Sequence, residues 1–205
     1  MNELHPQPGL PRLYMILLGS KAPHRNVEQH DYFFGIAGSL KELIPQMRAF
    51  WPEAGASLHI DGWREVNTVD GYEVKVVLRE ESLATVDEGQ PASPDKLFFI
   101  NLGGYQTGKL EEQHYTVLSV KTDRAQAVQD AKKTIFFKNN TIKSDTMKGA
   151  NSHIDEKYGI DVDDIYKIED ILSPALKSMY KIEISPGSAL PEDQIHLGYF
   201  RLEKL

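Results

Sequence analysis

The chain has 205 residues, 40% hydrophobic and 26% charged, a profile that fits one large or two small globular domains. A net charge of -7 and a pI near 5.5 argue against a phosphate-backbone partner, so nucleic acid is not expected, and the Lys-rich stretch 132–148 reads as a solvated exception. The absence of cysteine excludes disulfide, thiolate and zinc–thiolate chemistry.

Residues 1–12 read as a Pro-rich N-terminal arm without a basic start. The first apolar stretch, LYMILL (13–18), is too short to cross a bilayer and lacks the flanks of a signal peptide. No membrane partner and a cytoplasmic location are therefore expected. The first repeat unit, 13–90, reads strand, strand, helix, strand, strand. RLYMILLGS and EQHDYFFGIA supply the first two strands, and their consecutive apolar residues predict burial on both faces. SLKELIPQMRAFW follows with Ile44, Met47 and Trp51 on one helical face. Ser39 and Glu42 fit a capping box, while Pro45 predicts a kink or an irregular first turn. SLHIDGWREV and GYEVKVVL then read as a hairpin across NTVDG, whose Asp-Gly is a turn signal. Gly19, like Gly103 and Gly104 later, reads as a tight turn at a strand end; a phosphate cradle is disfavoured because no helix follows directly. Trp63 reads as a partly buried aromatic. The acidic, proline-containing stretch 79–96 is the linker, with the boundary near Pro91.

The second repeat unit, 91–205, matches the first along a diagonal of 84 positions. Leu13, Ile16, Leu18 and Gly19 meet Leu97, Ile100, Leu102 and Gly103, and Glu28, Gln29 and His30 meet Glu112, Gln113 and His114. Ser39 and Glu42 meet Asp123 and Gln126, and Ile44, Met47 and Trp51 meet Val128, Ala131 and Ile135. The tripeptide His-Ile-Asp at 59–61 recurs at 153–155, now 94 positions on, so 138–152 reads as an inserted, exposed loop. Past it, DVDDIYKIEDIL (161–172) reads either as the continuation or as a second insertion, and MYKIEIS and QIHLGYFRLEKL as closing strands. The fold class expected is α+β: two similar strand-strand-helix-strand-strand units related by a pseudo-twofold axis, their sheets buried on both faces, with a homo-oligomer possible.

The candidate site residues are the repeated polar ones: Glu28, Gln29, His30, His59 and Asp61, with Glu112, Gln113, His114, His153 and Asp155. Residues two apart in a strand share a face, so each half offers two imidazoles beside two carboxylates. That set suits a metal ion or an acid–base pair, although the spacing matches no known metal signature. A buried polar network is the first expectation, with His30 and His114 mostly buried and hydrogen-bonded; ligand binding ranks second and catalysis third. No serine elbow and no cysteine nucleophile is present.

LYMILLGS, NVEQHDYFFGI and HIDGWREVNTVDGYEV, with the second set LGGYQTGKLEEQHYTVLSV and HIDEKYGIDVDDIY, resemble a bacterial family, the domain of unknown function numbered 1543, found in one or two copies. The resemblance implies a bacterial source and supports two tandem copies. It implies no activity, cofactor or site residue. The residues themselves point first to a non-enzymatic module binding a small polar ligand or a protein partner. The alternative is a metal-dependent, hydrolase-like enzyme using the Glu/His and His/Asp motifs.

Overall fold

The computed structural model describes residues 9–80, 93–104, 110–133, 160–187 and 191–205. The protein is α+β, built mostly of strands. It divides into unit 1, residues 1–91 with 172–205, and unit 2, residues 92–171. The C-terminal strands, expected in the second unit, belong to the first. Among the described residues no helix is long and apolar enough to cross a membrane.

Unit 1 contains β1 (Arg12–Ser20), β2 (Gln29–Ala37), α1 (Ile44–Phe50), β3 (His59–Glu65), β4 (Thr68–Val69), β5 (Tyr72–Leu78), and the later β9 (Tyr180–Pro186) and β10 (His196–Arg201). One sheet has the order β10-β3-β1-β2 and a second the order β4-β5-β9. Both β2 and β3 run antiparallel to β1, so they are parallel to each other and the chain crosses β1 between them. The helix in that crossover covers one sheet face. Leu43 and Met47 pack on Tyr14, Ile16, Leu18 and Ile60; of the face read from the periodicity Met47 is core, while Ile44 and Trp51 are only partly buried and Leu43 takes the central place.

Local chemistry adjusts two expectations here. Pro45 has no N–H to donate, so 41–43 forms a 3-10 turn and the α-helix starts only at Ile44, with Pro45 in its first turn. Ser39 therefore caps no helix; its hydroxyl donates to the Glu42 carboxylate at 3.1 Å, which also accepts from the Gly38 N–H. The hairpin at Asp70-Gly71 joins β4 to β5, not β3 to β5. Both edges of β3 are already paired, to β1 and β10, so the chain leaves that sheet before turning.

Unit 2 contains β6 (Lys96–Gly104), β7 (Gln113–Lys121), α2 (Arg124–Ala131), β8 (Ile160–Lys167) and α3 (Ile168–Ile171). Its sheet order, β7-β6-β8, repeats β2-β1-β3. The register repeats too: Gly19 lies opposite His30, and Gly103 opposite His114, 84 positions on. Asp123 caps α2 by accepting from the Gln126 N–H at 3.0 Å, as expected. Phe98, Ile100, Leu102, Ala127, Ala131 and Ile165 form the core. β1 and β6, central in their sheets, are buried at successive positions, including Leu13 with Tyr14 and Leu97 to Ile100.

The third strand overturns one alignment. His59 stands opposite Gly19, and the residue opposite Gly103 is Asp161. The counterpart in register of His-Ile-Asp at 59–61 is therefore Asp-Val-Asp at 161–163, 102 positions on, inside β8. The tripeptide match at 153–155 thus does not give the in-register counterpart of 59–61. His153 and Asp155, with the loop expected at 138–152, lie outside the described residues. Gly19, Gly103 and Gly104 are strand residues, not turns.

Candidate functional site

Three adjacent strands bring one row of residues together in unit 1. His30 on β2 and His59 on β3 flank Gly19 on β1, so both imidazoles rise from the same sheet face with no side chain between them. A Cβ on Gly19 would collide with the Asp61 carboxylate and the His59 imidazole. The glycine is there to leave room.

Asp61 arrives through a bulge. Ile60 pairs with Leu18 and Gly62 with Leu17, which leaves Asp61 as the extra residue of β3. Such a bulge re-aims a side chain and sharpens the local twist. Glu28 enters from the loop just before β2. The result is a compact cluster: Glu28 Oε1 and Asp61 Oδ1 lie 3.1 and 3.2 Å from His59 Nε2, and Asp61 Oδ2 lies 2.9 Å from His30 Nε2.

His59 is the buried member, 3% exposed. Its Nδ1 is 2.8 Å from the Ser57 carbonyl, which can only accept, so Nδ1 carries a proton. The Ser57 hydroxyl is itself held, 2.7 Å from that of Ser20. In a neutral ring Nε2 then presents a lone pair toward two carboxylate oxygens. Neither His59 Nε2 nor Asp61 Oδ2, both buried, makes an aligned hydrogen bond. Electron-rich atoms converging on Nε2 with no aligned donor among them call for a cation, either a proton on Nε2 or a metal ion. Donors about 2.1 Å from a common ion stand about 3.0–3.4 Å apart, the spacing found around Nε2. Glu28, His59 and Asp61 each offer an atom within 4.8 Å of the others.

Unit 2 assembles a looser version. Asp163 is the extra residue of β8, between Val162 opposite Leu102 and Asp164 opposite Asn101. A Cβ on Gly103 would collide with its carboxylate. Glu112, His114 and Asp163 again lie within reach of one another. Here Nδ1 of His114 faces Asp163 at 3.2 Å, Nε2 lies 4.0 Å from Glu112, and Asn101 approaches Nδ1 at 3.4 Å.

The sequence candidates separate accordingly. Glu28, His30, His59 and Asp61 come together, as do Glu112 and His114. Gln29 and Gln113 do not join either cluster; Gln113 donates to Glu111 at 3.4 Å. The side chains of His30 and His114 are 45% and 51% exposed, not buried as expected, because both lie at the open ends of β2 and β7. Burial falls on His59 instead. Sequence reasoning missed Asp163, which the bulge marks only once the register is known. It also missed Tyr199, whose ring lies 4.3 Å from that of His59. Nothing local signals that contact across 140 residues.

The comparisons with known proteins bear on fold. No curated protein matches the chain. A crystal structure of a protein Il1583 from Idiomarina loihiensis is similar, with a TM-score of 0.52 and 20% identity over 94% of this chain and 97% of that one, a likeness of fold alone. Residues 25–76, which carry Glu28, His30, His59 and Asp61, match the model of the Domain of Unknown Function (DUF1543), and that single match supports a relationship to this family.

Proposed function

We propose that this protein is a binding module for a divalent transition-metal ion, held by Glu28, His59 and Asp61 with His30 as a fourth donor. The observation that carries the reading is His59. A fully buried imidazole, its Nδ1 committed to the Ser57 carbonyl, directs an unbonded Nε2 at two carboxylates. A carbonyl on the far nitrogen is the usual partner of a metal-bound histidine, since it fixes the tautomer and the ring plane. Two imidazoles with two carboxylates suit zinc, manganese, iron or nickel. The matching register, glycine and bulge in the two units further support an internal duplication, with unit 2 a diverged copy.

A second reading, metal-dependent hydrolysis, draws on one observation. Glu28 and His30 are half exposed, so the outer side of the ion would be open, as in catalytic rather than structural sites.

Metal analysis and titration of untagged full-length protein test the reading. One ion per chain is expected at the unit 1 site, raising the melting temperature, with His59→Ala abolishing uptake there. Absence of uptake, together with nitrogen NMR showing both ring nitrogens of His59 protonated at neutral pH, would establish an imidazolium network instead.

A further inference from the structure

We infer that the external ligand of the unit 1 site is a small aromatic anion, a planar ring bearing a carboxylate- or hydroxamate-like head, which rests on the metal reading above. The inference starts from β10, the fourth strand of that sheet. Leu197 pairs with Gly62 and Phe200 with Ile60, so Gly198 and Tyr199 together oppose the single residue Asp61. Gly198, at φ 149, allows this bulge. It swings the Tyr199 ring onto His59, at 4.3 Å and 38°.

That tilted ring contact covers His59 but does not bury Tyr199, which stays 66% exposed. Leu197, on the same sheet face against Gly62, is 77% exposed. Val27, the residue before Glu28, is exposed as well. Apolar surface thus flanks a polar, open cluster on both its strand side and its loop side. Exposed apolar patches beside convergent polar groups mark ligand sites, and a tyrosine face favours another ring. The head group follows from charge. Arg201 pairs with His59 across β10 and β3, so its side chain leaves the sheet on the site face. Its ion pair with Glu203 is long, at 3.8 Å. A divalent ion with an open position itself favours an anionic donor. Among the described residues of unit 2 the sheet has three strands, with no counterpart of β10.

The test uses the full chain loaded with one equivalent of cobalt(II), whose visible spectrum reports ligand exchange. Benzohydroxamate and acetohydroxamate share a head and differ in the ring. The protein should prefer benzohydroxamate by roughly fivefold more than free cobalt does in the same buffer, on the strength of ring stacking. Tyr199→Phe should keep that preference, and Tyr199→Ala should lose it while retaining cobalt. An equal preference in protein and free cobalt, or a preference unchanged in Tyr199→Ala, overturns the inference while leaving the metal site standing. Failure to take up cobalt overturns both. Should Tyr199→Ala alone lose the ion, the comparison of native protein with free cobalt still decides.

Discussion

Gly19 shows how a residue with no side chain can be the most constrained in a site. In an exposed strand, replacing glycine by alanine is favourable, because the unfolded chain loses freedom, by about 0.4–1 kcal/mol. At Gly19 the new methyl would occupy the space of the Asp61 carboxylate and the His59 imidazole. Gly19→Ala should therefore abolish metal uptake in unit 1 and lower stability by about 1–3 kcal/mol, as overpacking does. Isothermal titration and urea denaturation read the two effects; uptake at native affinity would show that the carboxylate and imidazole can part without loss. Gly103→Ala would displace Asp163 in the same way. There the methyl would meet the Asp163 carboxylate but no buried imidazole, so a smaller stability change is expected.

At the scale of elements, two devices set strand geometry. The β4–β5 hairpin turns through Asp70 and Gly71, at φ 53 and 79, both left-handed as a two-residue turn between twisted strands requires. Aspartate tolerates that region and alanine does not. Gly71→Ala should cost about 1–2 kcal/mol, seen as a lower urea midpoint with an unchanged slope. The second device is the bulge that sets Asp61. It lies between Leu17 and Leu18 on the partner strand, and its equivalent lies between Asn101 and Leu102. Deleting Gly62 would restore even pairing, with Asp61 opposite Leu17 and Trp63 still opposite Ile16, and so remove the bulge that aims the Asp61 carboxylate. Such a variant should fold poorly or lose the cluster, and circular dichroism with metal titration distinguishes these outcomes.

For the whole molecule, the chain ends decide where unit 1 stops. Strand β10 extends the sheet beyond β3, and Leu202 just after it is 1% exposed, packed in the same core as Ile16 and Met47. A residue near the C-terminus is thus part of a core assembled largely from the first 65 residues. Leu202→Ala should cost about 2–5 kcal/mol, the range for a buried leucine truncated in a packed core. Denaturation of the full chain checks it. A cost near zero would mean that the C-terminal segment packs loosely and that β10 does not belong to the unit.

Hydrophobic periodicity and recurring motifs in the sequence determined the strands, the helices and the 84-position correspondence between β1–β2 and β6–β7. Those signals are local: a strand's alternation, a cap, an Asp-Gly turn, each readable within a few residues. Glu28, His30, His59 and Asp61 were also legible as a group, because recurrence drew attention to them. Only the tertiary structure decided which histidine is buried, since burial depends on the strands either side and not on the motif. It decided that 161–163, not 153–155, stands in register with 59–61, because register is fixed by pairing across a sheet and a short identity carries no pairing information. It decided that β9 and β10 return to unit 1, and with them that Tyr199 meets His59, a contact between residues whose only relation is that their strands are neighbours.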